Sequence, residues 1–96
     1  MKKTYKILKD AREIVRTRWR KGLYGEPGGP RCAIGALGES AGIDPIWAHS
    51  MSYKPYKVLA ECVGKSNHIR SVSVFNDSHT QEEVIDLFTN AMRKAR

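Results

Sequence analysis

Near the start of the chain, apolar residues fall at Ile7, Leu8, Ala11, Ile14 and Val15. That is the i, i+3, i+4 spacing of one buried helical stripe. It predicts an amphipathic helix over about residues 4–21, with Thr4 as its N-cap and Gly22 as its stop. At ~100° per residue, Lys2, Lys6, Lys9, Arg12, Arg16 and Arg20 fall on the opposite face. Arg18 is turned toward the apolar stripe, where it must snorkel or meet an acidic partner. A first element of this kind can be buried only by other apolar faces of similar period.

The rest of the chain offers several. Gly22 to Arg31 is a Gly/Pro-rich loop with room for a tight hairpin at Glu26–Gly29. Residues 32–41 read as a short central helix whose Ala33, Gly35, Ala36 and Gly38 allow close backbone approach, with Gly42 ending it. Asp44-Pro45 has the cap-then-proline order of another helix start. Residues 55–63 place Val58, Leu59, Cys62 and Val63 on one face. The stretch 69–75 fits two periods: Val72 and Val74 alternate with serines as in a strand, while Val72 and Phe75 sit one helical turn apart. Thr80-Gln81-Glu82-Glu83 is a capping box that opens a last helix over about 81–95, with Val84, Leu87, Phe88, Ala91 and Met92 inward. The expected fold is therefore mainly α. It is a compact bundle of about four helices in a single domain over residues 1–96, with room for one short strand or hairpin. At 96 residues and without a disulfide scaffold such a core is small, which leaves room for a homodimer.

Charge is unevenly distributed. The chain has 17 Lys+Arg and 10 Asp+Glu, a formal charge of +7. Nine of the basic residues lie in residues 1–21, opposed only by Asp10 and Glu13, and the remainder is neutral. A basic face at Lys9, Arg12, Arg16 and Arg20 suits nucleic-acid phosphates or an acidic protein, and equally a solvated outer surface. It lacks the interleaved aromatics of a strand-stacking platform, and no second basic helix follows to complete a helix-turn-helix. No apolar run is long enough to cross a membrane, and Lys9, Asp10 and Arg12 interrupt any signal-peptide core. The expected location is the cytoplasm. His49, His68 and His79 lack metal-ligand spacing, and the Gly-rich loop lacks the Lys-Ser/Thr of a P-loop. No metal or cofactor is expected.

Three stretches resemble a known group: Pro30-Arg31-Cys32-Ala33-Ile34-Gly35-Ala36-Leu37, Phe75-Asn76-Asp77 and Thr80-Gln81-Glu82-Glu83-Val84. Together they are similar to small uncharacterised proteins of actinobacteria and their bacteriophages, built around Cys-Ala-x-Gly-Ala and Trp-Asn-Asp, with Phe75 standing here for the usual Trp. The resemblance implies an actinobacterial or phage source and carries no mechanism.

Two local features suggest chemistry. Cys32 stands at the start of a helix, where amides and dipole favour a thiolate. With His79 as base and Asp77 or Asn76 as orienter it would make a thiol-hydrolase constellation, the Cys32 and Ala33 amides receiving the oxyanion. The competing reading is an inert thiol in a packing helix, with Asn76 and Asp77 in ordinary turn roles or Asp77 paired to Arg18 or Arg31. Trp47, Met51, Tyr53 and Tyr56 form an aromatic stretch suited to a protein partner or to core lining. The sequence therefore points first to a small binding or accessory protein acting on a host or phage macromolecule, protein ahead of nucleic acid. Nucleic-acid binding by the basic face and a Cys32-dependent thiol enzyme are the alternatives.

Overall fold

A computed structural model describes residues 3–64 and 71–96. It contains α1 (Thr4–Arg18), α2 (Ala33–Ala41), α3 (Pro45–Ala48), α4 (Lys54–Val63), α5 (Ser71–Ser78) and α6 (Gln81–Ala95). The mainly helical, compact expectation holds, but with six helices among the described residues where about four were expected. The additions are the single turn at Pro45 and the segment that also fitted a strand.

α1 and α6 run antiparallel. Arg96 meets Tyr5, Arg12 meets Thr89, and Gln81 Nε2 donates to the Val15 carbonyl. α2 crosses α1, with the Ser40 hydroxyl donating to the Ile7 carbonyl at 2.6 Å. α4 packs on α6, and α5 lies against α2 and α4. The core is made of Leu8, Ala11 and Val15 from α1, Ile34 and Leu37 from α2, Tyr56 and Leu59 from α4, Val72 from α5, and Val84 and Phe88 from α6. Each large apolar side chain buried this way contributes roughly 1.5–3 kcal/mol against exposure.

The helix ends show where local signals yield to tertiary ones. The capping box at Thr80 and Glu83 is present in both directions. Asp44 caps α3, and Gly42 closes α2. α1, however, ends at Arg18 rather than Lys21, and its N-cap is Lys3, without a side-chain bond, rather than Thr4. The early stop has a visible cause. The Arg31 amide donates to the Arg18 carbonyl at 2.7 Å, and the Arg20 amide donates to the Arg31 carbonyl at 3.1 Å. This pulls Trp19 into an isolated parallel bridge with Arg31. That bridge replaces the strand or hairpin, and no strand forms among the described residues.

The stretch 69–75 resolves as helix from Ser71, because Val72 and Asn76, one turn apart, are both buried while Val74 faces out. Lys2, His68, Ile69 and Arg70 lie outside the described residues. No helix among the described residues is long and apolar enough to cross a membrane.

Candidate functional site

Two polar clusters tie the Gly/Pro loop to the helical body. Asn76, fully buried, accepts from Trp19 Nε1 at 2.7 Å and from the Ala33 amide at 3.0 Å, and its Nδ2 donates to the Arg20 carbonyl at 3.2 Å. Asp77 Oδ1 accepts from the Gly22 amide at 2.8 Å. The Phe75-Asn76-Asp77 and Cys32-Ala33 stretches are therefore bonded to one another in space.

The second cluster centres on Glu39. Arg18 Nη2 donates to it at 2.5 Å, the buried Arg31 Nη1 at 3.1 Å and the Gly28 amide at 3.2 Å. These donors, Arg18 foremost, hold the Glu39 carboxyl at about 2. Arg18 thus meets the acidic partner its position required. Asp77, offered as a partner for Arg18 or Arg31, bonds the loop backbone instead, since Glu39 takes both guanidinium groups.

Close approach of the loop needs glycine at two points. A Cβ on Gly35 would lie 2.1 Å from the Tyr24 carbonyl oxygen, and one on Gly25 would lie 2.0 Å from that of Pro30. The same Tyr24 carbonyl accepts from Arg31 Nε at 3.0 Å. Arg31 therefore braces the loop from below through Nε and through Nη2, which donates to the Gly25 carbonyl at 3.3 Å, while Nη1 holds Glu39.

The members of the proposed thiol constellation are each held by other partners. Cys32 is buried at the N-cap of α2, its Sγ accepting from the Gly35 amide at 3.5 Å, and burial pushes the thiol up rather than toward a thiolate. The Ala33 amide, one of the two suggested oxyanion donors, is already bonded to Asn76. His79 stacks on Phe75 with centroids 3.7 Å apart, and its Nδ1 donates to the Phe75 carbonyl at 2.9 Å. Asp77 faces the Gly22 amide and Asn76, so it does not orient that ring through any bond in the structure. Among the described residues no three His, Cys, Asp or Glu are grouped to hold a metal.

The aromatic stretch divides. Trp47 is 73% exposed, whereas Tyr56 is fully buried and Met51 and Tyr53 are half-buried against the core. Tyr56 serves as a wall: the His49 ring lies 5.3 Å from it, and His49 Nδ1 is 3.0 Å from the Tyr24 hydroxyl. This contact clamps the loop to the end of α3. Other exposed apolar side chains lie on the loop and around α3, with Leu23 71% and Ile46 65% exposed and Tyr24 and Ile43 also at the surface. Tyr24 and Ile43 border an open cleft of about 560 Å³, lined also by Pro27, Glu39, Asp44 and Pro45. The sequence does carry a signal for these residues. Leu23-Tyr24 and Ile43/Ile46 are apolar groups set among turn residues that no helical stripe claims.

The basic face is partly spent inside the protein. Arg16 is paired with Glu13, Lys6 with Asp10 at 3.1 Å, and Arg12 Nη1 donates to Thr89 Oγ1 at 3.1 Å. Lys9 and Arg20 remain exposed, Arg20 lying beyond the end of α1 and therefore off the helical stripe.

No curated protein and no solved structure matches the chain. The chain belongs to a family of unknown function, DUF6197, which it matches over residues 1–94.

Proposed function

We propose that this protein is a small cytoplasmic binding module of an actinobacterium or its phage, acting through a protein partner that docks on the corner made by the Gly/Pro loop and α3. The observation that carries this reading is the concentration of exposed large apolar residues there: Leu23, Tyr24, Ile43, Ile46 and Trp47, beside a cleft of about 560 Å³. Water contact with side chains of this size is costly, at roughly 25 cal/mol per Å² of apolar surface. Isolated exposed apolar residues are ordinary, but a cluster at one corner is typical of an interaction site. The corner is also braced, through Arg31, Glu39, Asn76 and the Tyr24–His49 contact, so little ordering remains to oppose association.

The test is recovery of a partner on immobilised protein from nuclease-treated actinobacterial lysate, comparing wild type with an Ile46→Ser/Trp47→Ala variant. One protein retained by wild type and lost from the variant supports the reading. Equal recovery on both contradicts it, as does self-association through the same corner in place of a partner.

A further inference from the structure

The N-terminal end of the α1–α6 seam gathers positive charge from two helices. Tyr5, Lys9 and Arg12 stand at i, i+4 and i+7, so they line one strip of α1. α6 arrives antiparallel and brings Arg96 over the same strip. The Arg96 guanidinium lies 5.4 Å from the Tyr5 ring centroid, and Nη2 donates to the Tyr5 hydroxyl at 3.4 Å. Arg12 is steadied from the α6 side by Thr89 Oγ1, and Lys9 projects from the intervening turn into solvent. The Arg96 hydrogen bond, with the nearby charges of Lys9 and Arg12, draws the Tyr5 hydroxyl below the usual tyrosine range. The acids of α1 are engaged with other cations, Asp10 with Lys6 and Glu13 with Arg16. The first turn of α1 has no acidic residue and no side-chain cap, so the positive end of its dipole adds to the same field.

We infer that Lys9, Arg12 and Arg96, with the Tyr5 hydroxyl, form a binding strip for successive backbone phosphates of a nucleic-acid strand, one phosphate to each cation. Arg12 offers a planar fork already fixed on one side, Lys9 a mobile point charge, and Tyr5 a neutral donor between them. A strand is favoured over an isolated phosphate because the cations continue in a row. Arg16 follows Lys9 by seven residues, about 10 Å along the helix axis, and its pairing with Glu13 is exposed and screened by solvent. A repeating polyanion can exchange that pairing for a further phosphate. This surface does not involve the Trp47 corner, so either proposal stands if the other fails.

Fluorescence anisotropy of a labelled single-stranded 12-mer, titrated at 50 and 200 mM salt, tests the site. Three phosphate contacts predict roughly a 20-fold loss of affinity over that range. Lys9→Ala and Arg96→Ala should each reduce the slope of log K against log salt by about 0.7, while Arg20→Ala and Trp47→Ala leave it unchanged. Arg12→Lys, which keeps the charge and loses the fork, should weaken binding without changing that slope. Polyglutamate at equal charge should displace the strand poorly. Absence of binding at 50 mM salt, an Arg20→Ala effect equal to Lys9→Ala, or efficient displacement by polyglutamate would each overturn the inference.

Discussion

Replacing Asn76 with alanine removes the side chain on which the loop, α1 and α2 converge. Two donors lose their acceptor, Trp19 Nε1 at 2.7 Å and the Ala33 amide at 3.0 Å, and the Arg20 carbonyl loses a donor at 3.2 Å. Trp19 is half-buried and Arg20 exposed, so water can replace part of what they lose. Ala33 is fully buried, and its orphaned amide costs about 1–3 kcal/mol. With the residual cavity and a partly rescued indole, the total is about 3 kcal/mol. Against a global stability of about 5–14 kcal/mol for a chain of this length, that is a large fraction. Urea unfolding followed by far-UV circular dichroism should show the midpoint falling by about 3 M at a slope near 1 kcal/mol per M. Trp19→Phe, which deletes the indole donor together with part of a half-buried ring, should cost less, and the double variant should fall short of additivity by about 1 kcal/mol. An Asn76→Ala protein within 1 kcal/mol of wild type would refute the view that this residue holds the loop to the body.

Four further outcomes follow from the same geometry. Glu39 is held at about 2 against an ordinary value of 4.5, so its contribution to stability is complete above about pH 4.5 and is lost as pH falls toward 2. Its size is on the order of 2–3 kcal/mol, and Glu39→Gln should flatten that acid limb in unfolding titrations between pH 5 and about 2. Gly35→Ala forces a methyl group against the Tyr24 carbonyl and should cost about 1–3 kcal/mol, weakening hydrogen-exchange protection of the loop first. Gly28→Ala, with open space around its Cβ, carries only the left-handed backbone penalty of about 1–2 kcal/mol and leaves α2 packing intact. Cys32 should alkylate slowly at pH 7.5 and react at an ordinary thiol rate only in urea. Fast labelling that His79→Ala abolishes would restore the thiol-enzyme reading.

What the sequence disclosed is local in origin. The stripe Leu8, Ala11 and Val15, the Thr80–Glu83 box, the Asp44-Pro45 start and the need of Arg18 for an acid all depend on residues a few positions apart or on one unbalanced charge. The failures depend on partners far along the chain. α1 stops at Arg18 because Arg31 supplies a backbone partner, and nothing in residues 19–22 announces that. Asn76 reads as a turn residue until Val72, one turn earlier, is seen to be buried with it. The candidate corner was half legible. Trp47 was identified from its type, but Tyr56 has the same composition signal and is core. Only the folded chain shows that the exposed large apolar residues on the loop and around α3 are Leu23, Tyr24, Ile43, Ile46 and Trp47, with Tyr56 buried and Met51 and Tyr53 half-buried. Charge arithmetic located the basic segment and its acid Glu13, while the Arg12 contact to Thr89, 77 residues along the chain, is visible only in the folded protein.

A partner that docks on the Trp47 corner must lose affinity when that side chain is removed. The most direct measurement is the dissociation constant of the captured protein for wild type and for Trp47→Ala, with urea midpoints recorded for both. Trp47 is exposed, so its removal should leave the midpoint within about 0.5 M, yet as a central aromatic contact it should weaken binding at least 30-fold, about 2 kcal/mol. Affinities within twofold of each other, at equal stability, would contradict the central claim.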